Sequence, residues 1–392
     1  MRDTSRPALG ALTGARFLAA LWVVLYHYFF AFQSPVRTAT ELIPGTSIMN
    51  PLLLLMWQGH LAVDFFFLLS GFILAYTYLA ADGSARGGKR AFWVARIARI
   101  YPLYLLGLLL GMEPYLVSGH RLLGVGTSAV ASLFLLQAWV PSTLGWNQPA
   151  WSLSVEAFFY LLFPLLLPLV AHLSRRGLWR VVVGAWAVFA AIILVLYLLG
   201  LHYATLWWWG DFVRYNPLVS LPEFIVGMTL GLLFVRSEGV SVLHRWSDRG
   251  LNRAIVVVAT LLLALLLIAS ATRYSTGDLD SMAVFVLPFL AALIALLAFG
   301  RGAISRALAH PRMLWLGEIS YGVYIVHWPV WFLLSALAVS ALHLSVNNPI
   351  LFVVYLALTL IVAGASFVYL ERPARRFIRD RWSSPKVVSA PA

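Results

Sequence analysis

The chain has 392 residues, of which 61% are hydrophobic and only 11% charged, and its mean hydropathy is +0.86. Soluble domains carry roughly a quarter charged residues, so this composition excludes one and reads as an integral membrane protein. The formal charge of +13 does not point to nucleic acid, because no Lys/Arg runs with interleaved aromatics lie outside the apolar blocks; the absence of cysteine removes disulfide and thiolate chemistry.

Apolar runs long enough to cross a bilayer, about twenty residues each, fall at 13–33, 61–80, 100–117, 154–173, 181–200, 218–235, 253–270, 281–299, 313–340 and 349–370. The expected fold class is all-α and membrane-integral, a polytopic bundle of about ten transmembrane helices. A further apolar piece, 127–140, is short for a crossing and is read as re-entrant or interfacial. Basic residues test that reading. With both termini cytoplasmic, every Lys and Arg lies on the inner side except Arg37, Arg121, Arg214 and Arg273, as the positive-inside rule asks. A full crossing by 127–140 would leave more of them outside than inside. No small-residue cleavage site follows the first apolar run, which argues against a removed signal peptide. Residues 1–373 read as one membrane-embedded domain without internal or inverted repeats, a pattern that disfavours repeat-built transporters. Residues 374–392 read as a basic, headgroup-binding and disordered cytoplasmic tail.

The first span carries two residues that lipid rejects, Arg16 and His27. At about 100° and 1.5 Å per residue they share a helix face and stand about 16 Å apart along its axis. Intramembrane ionisable residues are functional candidates by default; for Arg16 alone, an inner-edge anchor that snorkels to the headgroups fits as well. By depth, His27, Asp64, Glu156 and His327 converge on the outer half of the membrane. A carboxylate beside an imidazole orients it and raises its basicity, which suits general-base attack by an alcohol or a transient acyl-histidine. Asp64 also reads as an interfacial helix cap. His327, next to Trp328 and Pro329, also reads as a partner for a carbonyl freed by the kink. Ser320, Tyr324 and His327 share a face and mark a cavity lining.

No His or carboxylate pair stands at metal-ligand spacing on one helix, so no metal is expected. The aromatic stretch Ala204–Phe212 reads as an interfacial belt or a sugar-stacking platform. On the inner side Arg96 and Arg99, one turn apart just before the third span, fit phosphate clamping or positive-inside anchoring. With Arg16 they form a trio at a cytoplasmic mouth.

From Leu12 to about Pro373 these blocks, taken in order, resemble acyltransferase family 3, integral-membrane O-acyltransferases. The resemblance is carried by Arg16 with His27, by the block Gly59 to Phe72 that contains Asp64, by Arg96 and Arg99 before Tyr101-Pro102, by Trp151 to Glu156, and by Ser320 to His327. It implies transfer of an acyl group, acetyl in expectation, from cytoplasmic acyl-CoA to a hydroxyl of a cell-surface glycan, lipid-linked sugar or glycosylated small molecule. Acyl-CoA would be a co-substrate, with no permanently bound cofactor. Arg16, Arg96 and Arg99 would engage the CoA phosphates. His27 would be base or acyl relay, with Glu156 and Asp64 as orienting or proton-accepting partners. His327 with Tyr324, Ser320 and Trp151 would line the acceptor side. The expected partners are thus acyl-CoA, a carbohydrate acceptor and the bilayer of the cell membrane, and the short stretch after Leu370 implies a member without a C-terminal hydrolase-like domain. The competing expectation is a flippase or transporter, in which the same charges would mark a permeation path.

Overall fold

The computed structural model describes residues 8–32, 50–117, 122–199, 215–236, 246–276, 281–346 and 348–382; Arg37, Arg121, Arg214 and the Ala204–Phe212 segment lie outside them. In chain order the helices are α1 (Gly10–Tyr26), α2 (Pro51–Trp57), α3 (Ala62–Tyr78), α4 (Gly88–Val117), α5 (Leu122–Leu133), α6 (Trp151–Ala171) and α7 (Arg175–Leu198). They continue with α8 (Pro217–Val235), α9 (Asp248–Thr276), α10 (Ser281–Ala298), α11 (Ala303–Leu308), α12 (Pro311–Ser340), α13 (Pro349–Ser366) and α14 (Arg372–Trp382). Among the described residues the only β-pairing is an isolated bridge between Leu79 and Ala85. Nine helical spans there are long and apolar enough to cross a membrane, and Met282–Ala298 is a shorter apolar helix. The molecule is a polytopic all-α membrane protein.

Local sequence explains where several helices begin. Asn-Pro pairs start α2, α8 and α13, with Asn50, Asn216 and Asn348 each accepting from the N–H two residues on. The proline supplies a preset φ at a position whose N–H has no helical partner to lose.

Three boundaries differ from the sequence expectation. The second span begins at Pro51 rather than at 61, because α2 continues into α3 through the 3-10 turn Gln58–Leu61. Asp64 therefore sits well inside the span instead of capping it at the rim. α4 begins at Gly88 rather than at 100, so Arg96 and Arg99 belong to the helix interior. Tyr78 and an internal cavity receive these side chains, which lets the helix extend past the point where an apolar window stops. Finally, the tail expected to be disordered from 374 is helical through Trp382. It is fixed there by an Arg372–Glu318 ion pair of 3.0 Å and by the Arg372 guanidinium 4.4 Å above the Phe367 ring.

The short segment expected at 127–140 is α5 and its return. Twelve residues rise only about 18 Å, too little for a hydrocarbon core of about 30 Å. Leu135, in the left-handed region at φ 56°, turns the chain back. Gln137 Nε2 then donates to the Tyr104 hydroxyl at 3.1 Å and the Ala150 carbonyl at 2.9 Å, stitching the return to α4 and to the start of α6.

One helix pair sets the site. A Cβ on Gly227 of α8 would lie 1.9 Å from the Leu68 carbonyl oxygen, and one on Gly71 of α3 would lie 2.2 Å from that of Phe224. Backbones meet here because only glycine permits it, the usual means of joining spans where lipid is as apolar as the side chains. Leu68 faces Gly227 and Phe72 faces Gly231, a constant register between parallel helices. One turn earlier, the same register sets Asp64 opposite Glu223.

Candidate active site

Two internal cavities lie end to end between α1, α3, α4, α6, α8 and α12. Taking the arginine-rich loops as the inner side, the inner cavity, of about 110 Å³, is lined by Arg16, Ser70, Arg96, Arg99, Glu156 and Tyr160 among others. The outer one, of about 230 Å³, is lined by His27, His60, Asp64, Trp151, Tyr215 and Glu223 among others. Val63 and Tyr324 line both, and so form the wall between them. Tyr324 is held in that wall: its hydroxyl donates to the Pro149 carbonyl at 2.8 Å and lies 2.8 Å from Ser152 Oγ.

His27 is the first residue of a π-helical stretch, His27–Phe32, that follows α1. Such stretches re-aim a side chain by widening the helix and recur at functional sites. The re-aimed ring meets His327 of α12, with His327 Nε2 at 3.1 Å from His27 Nδ1. His327 Nδ1 lies 2.7 Å from the Tyr324 carbonyl, which only accepts, so Nδ1 carries the proton. Neutral His327 then offers a lone pair at Nε2, and His27 must donate from Nδ1. The lone pair of His27 is thereby placed on Nε2, the nitrogen a general base uses. His327 itself is fully buried and does not line the outer cavity, which it adjoins through His27 and Tyr324.

Three expected residues are placed differently from the sequence reading. Glu156 does not join His27 in the outer half. It lines the inner cavity, where Ser70 Oγ donates to it at 3.1 Å and the Tyr160 hydroxyl donates to it as well. The cause is helical geometry: five residues beyond Trp151, Glu156 is about 7 Å deeper and on another face. Ser320 also lines the inner cavity, its hydroxyl returned to the Gly317 carbonyl at 2.8 Å. Tyr324 belongs to both sides. The stripe Ser320–Tyr324–His327 thus runs through the wall instead of lining one pocket. Trp151 does line the outer cavity, and Arg16, Arg96 and Arg99 converge on the inner one. Among the described residues none of these three arginines forms an ion pair; Arg96 donates to the Tyr78 hydroxyl at 2.8 Å.

Glu223 was not singled out from the sequence. It is 2% exposed, lines the outer cavity, shares a hydrogen bond with Asp64, and has an Oε2 with no partner. Two carboxyl groups can share a hydrogen bond only through a proton held by one of them. The signal was available: Glu223 is a lone charge in PLVSLPEFIVGM, the kind of residue that marks a site inside a membrane. Among the described residues the outer lining contains no Lys or Arg, so the two described linings are of opposite character. Among the described residues no group of three or more His, Cys, Asp or Glu is arranged to hold a metal.

Fold and site together define a multi-pass membrane protein with a hydrogen-bonded histidine pair beside one cavity and guanidinium groups facing another. The chain belongs to the acyltransferase family Acyl_transf_3, whose acyltransferase domain matches residues 9–368. It is 31% identical over 347 residues to the acyltransferase MdmB of Streptomyces mycarofaciens, covering 82% of this chain and 79% of that protein. It is 24% identical over 390 residues to the peptidoglycan O-acetyltransferase OatA of Listeria monocytogenes, covering 95% of this chain but 56% of that one. No solved structure matches the chain. An O-acyltransferase of the membrane is therefore what these findings identify.

Proposed function

We propose that the enzyme moves an acetyl or similar short acyl group from cytoplasmic acyl-CoA to a hydroxyl of a glycan, lipid-linked sugar or glycosylated small molecule on the outer face of the cell membrane. The observation that carries this reading is the pair of cavities of opposite character meeting at one wall beside His27. The CoA phosphates are held by Arg16, Arg96 and Arg99, as polyanions are by guanidinium forks. The pantetheine arm spans the roughly 16 Å from Arg16 to His27. His27 Nε2 takes the proton of the acceptor hydroxyl as its oxygen attacks the thioester carbonyl. The C–S bond breaks, and the departing sulfur takes the proton back from His27, leaving an ester and free CoA. His327 holds the His27 ring and stabilises its charged form through the nitrogen–nitrogen hydrogen bond. Asp64 and Glu223 meet the acceptor. Glu156, beside the arginines, balances charge in the inner cavity and orients them.

The test is acyl-CoA turnover by purified protein in nanodiscs, wild type beside His27→Ala, with acetyl-, propionyl- and succinyl-CoA and candidate sugar acceptors. His27-dependent release of CoA is expected with at least one donor. Movement of a glycolipid across the bilayer without any acyl-CoA, unaffected by His27→Ala, would replace this reading with the flippase.

A further inference from the structure

The mouth of the inner cavity has a fourth arginine that the donor site as described leaves unused. Glu371, at the end of the π-helical turn Phe367–Glu371, is 3% exposed. Its Oε1 pairs with Arg375 of α14 at 3.5 Å, and its buried Oε2 has no partner. The same carboxylate stands in the field of Arg99 and Arg16. Arg375 in turn faces Arg99, Arg96 and Arg379, with Glu371 the one carboxylate it pairs with among the described residues. Guanidinium groups from α1, α4 and α14 therefore act on one half-satisfied carboxylate, with Glu156 as the second carboxylate deeper in the cavity. α14 packs on α4 and is anchored by Arg372 to Glu318, so Arg375 is held in place and not swept through solvent. Like charges gathered this way repel unless an anion joins them. Arg375 is not part of the inner cavity lining, and α14 follows the inner end of α13, so its place is on the cytoplasmic side of Arg16, Arg96 and Arg99.

Resting on the donor assigned above, we infer that Arg375 binds the phosphomonoester of that donor, the ribose 3′-phosphate of coenzyme A, and that Glu371 is the counter-ion it displaces. The order along the molecule fits. The pyrophosphate adjoins the pantetheine arm and meets the deeper arginines, whereas the 3′-phosphate lies farthest from the thioester. A phosphomonoester carries close to two negative charges at neutral pH and offers three acceptor oxygens, which suits a forked guanidinium. A phospholipid headgroup presents related chemistry, and the experiment separates the two.

The experiment is equilibrium binding of CoA and of 3′-dephospho-CoA to the full chain in phosphatidylcholine nanodiscs. Wild type is expected to bind CoA at least tenfold more tightly than dephospho-CoA. Arg375→Gln should bind both alike, with its affinity for dephospho-CoA within about twofold of wild type. Glu371→Gln, which frees Arg375, should tighten CoA several-fold more than it tightens dephospho-CoA, and it reports even if Arg375→Gln fails to fold. Retention of the tenfold preference in Arg375→Gln, or an unchanged CoA affinity in Glu371→Gln, overturns the assignment. Loss of the wild-type preference in nanodiscs containing phosphatidylglycerol also overturns it, in favour of a lipid headgroup. Failure of wild type to bind either nucleotide would instead sink the acyl-CoA reading itself.

Discussion

The rings of His27 and His327 stack with centroids 5.1 Å apart and planes 27° from parallel, joined by one nitrogen–nitrogen hydrogen bond. They come from opposite ends of the chain. Because His327 Nδ1 is committed to a backbone carbonyl, the pair has a single tautomeric arrangement when neutral, and it leaves the His27 lone pair on Nε2.

That arrangement separates the two histidines experimentally. His27→Ala should lower kcat about 10²- to 10⁴-fold, the usual worth of a general base. His327→Ala should lower it less, with KM for the donor unchanged, since its role is to position. His327→Gln keeps an acceptor for the His27 Nδ1–H and should recover part of the loss. Steady-state kinetics of the three variants checks this; equal losses in His327→Ala and His327→Gln would contradict the orienting role.

Asp64 and Glu223 share one hydrogen bond and line the outer cavity, whereas Arg16, Arg96 and Arg99 line the inner one. Glu223→Gln preserves shape and a hydrogen bond to Asp64 while removing the proton that the two carboxyl groups share. Its KM for the acceptor should rise about tenfold or more, with KM for acyl-CoA changed less than twofold. A matching rise in the donor KM would place Glu223 elsewhere in the cycle.

The wall makes a different prediction. Tyr324→Phe removes the hydroxyl bridge to Pro149 and Ser152 at a cost of about 0.5–1.5 kcal/mol, the net worth of one hydrogen bond, because Ser152 still donates to the Pro149 carbonyl at 3.1 Å. Tyr324→Ala removes the wall itself. Acceptor-independent release of CoA, as water reaches the thioester, should rise in Tyr324→Ala and stay near wild type in Tyr324→Phe.

Gly227→Val should be among the most damaging apolar changes. Its Cβ would fall 1.9 Å from the Leu68 carbonyl oxygen, which is backbone and cannot yield like a side-chain tip. Overpacking of this kind costs about 1–3 kcal/mol or more. It should lower the thermal midpoint in detergent and also impair acceptor use, since the same register sets Asp64 against Glu223. Gly126→Ala, in open space on α5, is the control that should change neither.

Much of this architecture was legible from apolar runs and arginine placement, because a membrane imposes length and charge asymmetry on any chain that crosses it. The non-crossing segment was legible too, since an additional crossing would have inverted that asymmetry. What escaped were contacts that depend on packing. The extension of α4 back to Gly88 is invisible to an apolar window because Arg96 is received by Tyr78, a residue on another helix. The depth of Glu156 was judged along its helix without knowing which face it showed. The His27–His327 bond joins residues that no spacing rule connects, and it requires the local π-helical widening. Glu223 was different: the rule that flagged Asp64 applied to it equally.

The residues shared by the two cavities carry one last consequence. A membrane that stores energy as an ion gradient cannot tolerate a wet, charged pore from face to face. Arginines below and carboxyls above would conduct if their compartments joined. With Val63 and Tyr324 standing between them, the protein can hold hydrophilic groups at both depths without opening a continuous path for ions.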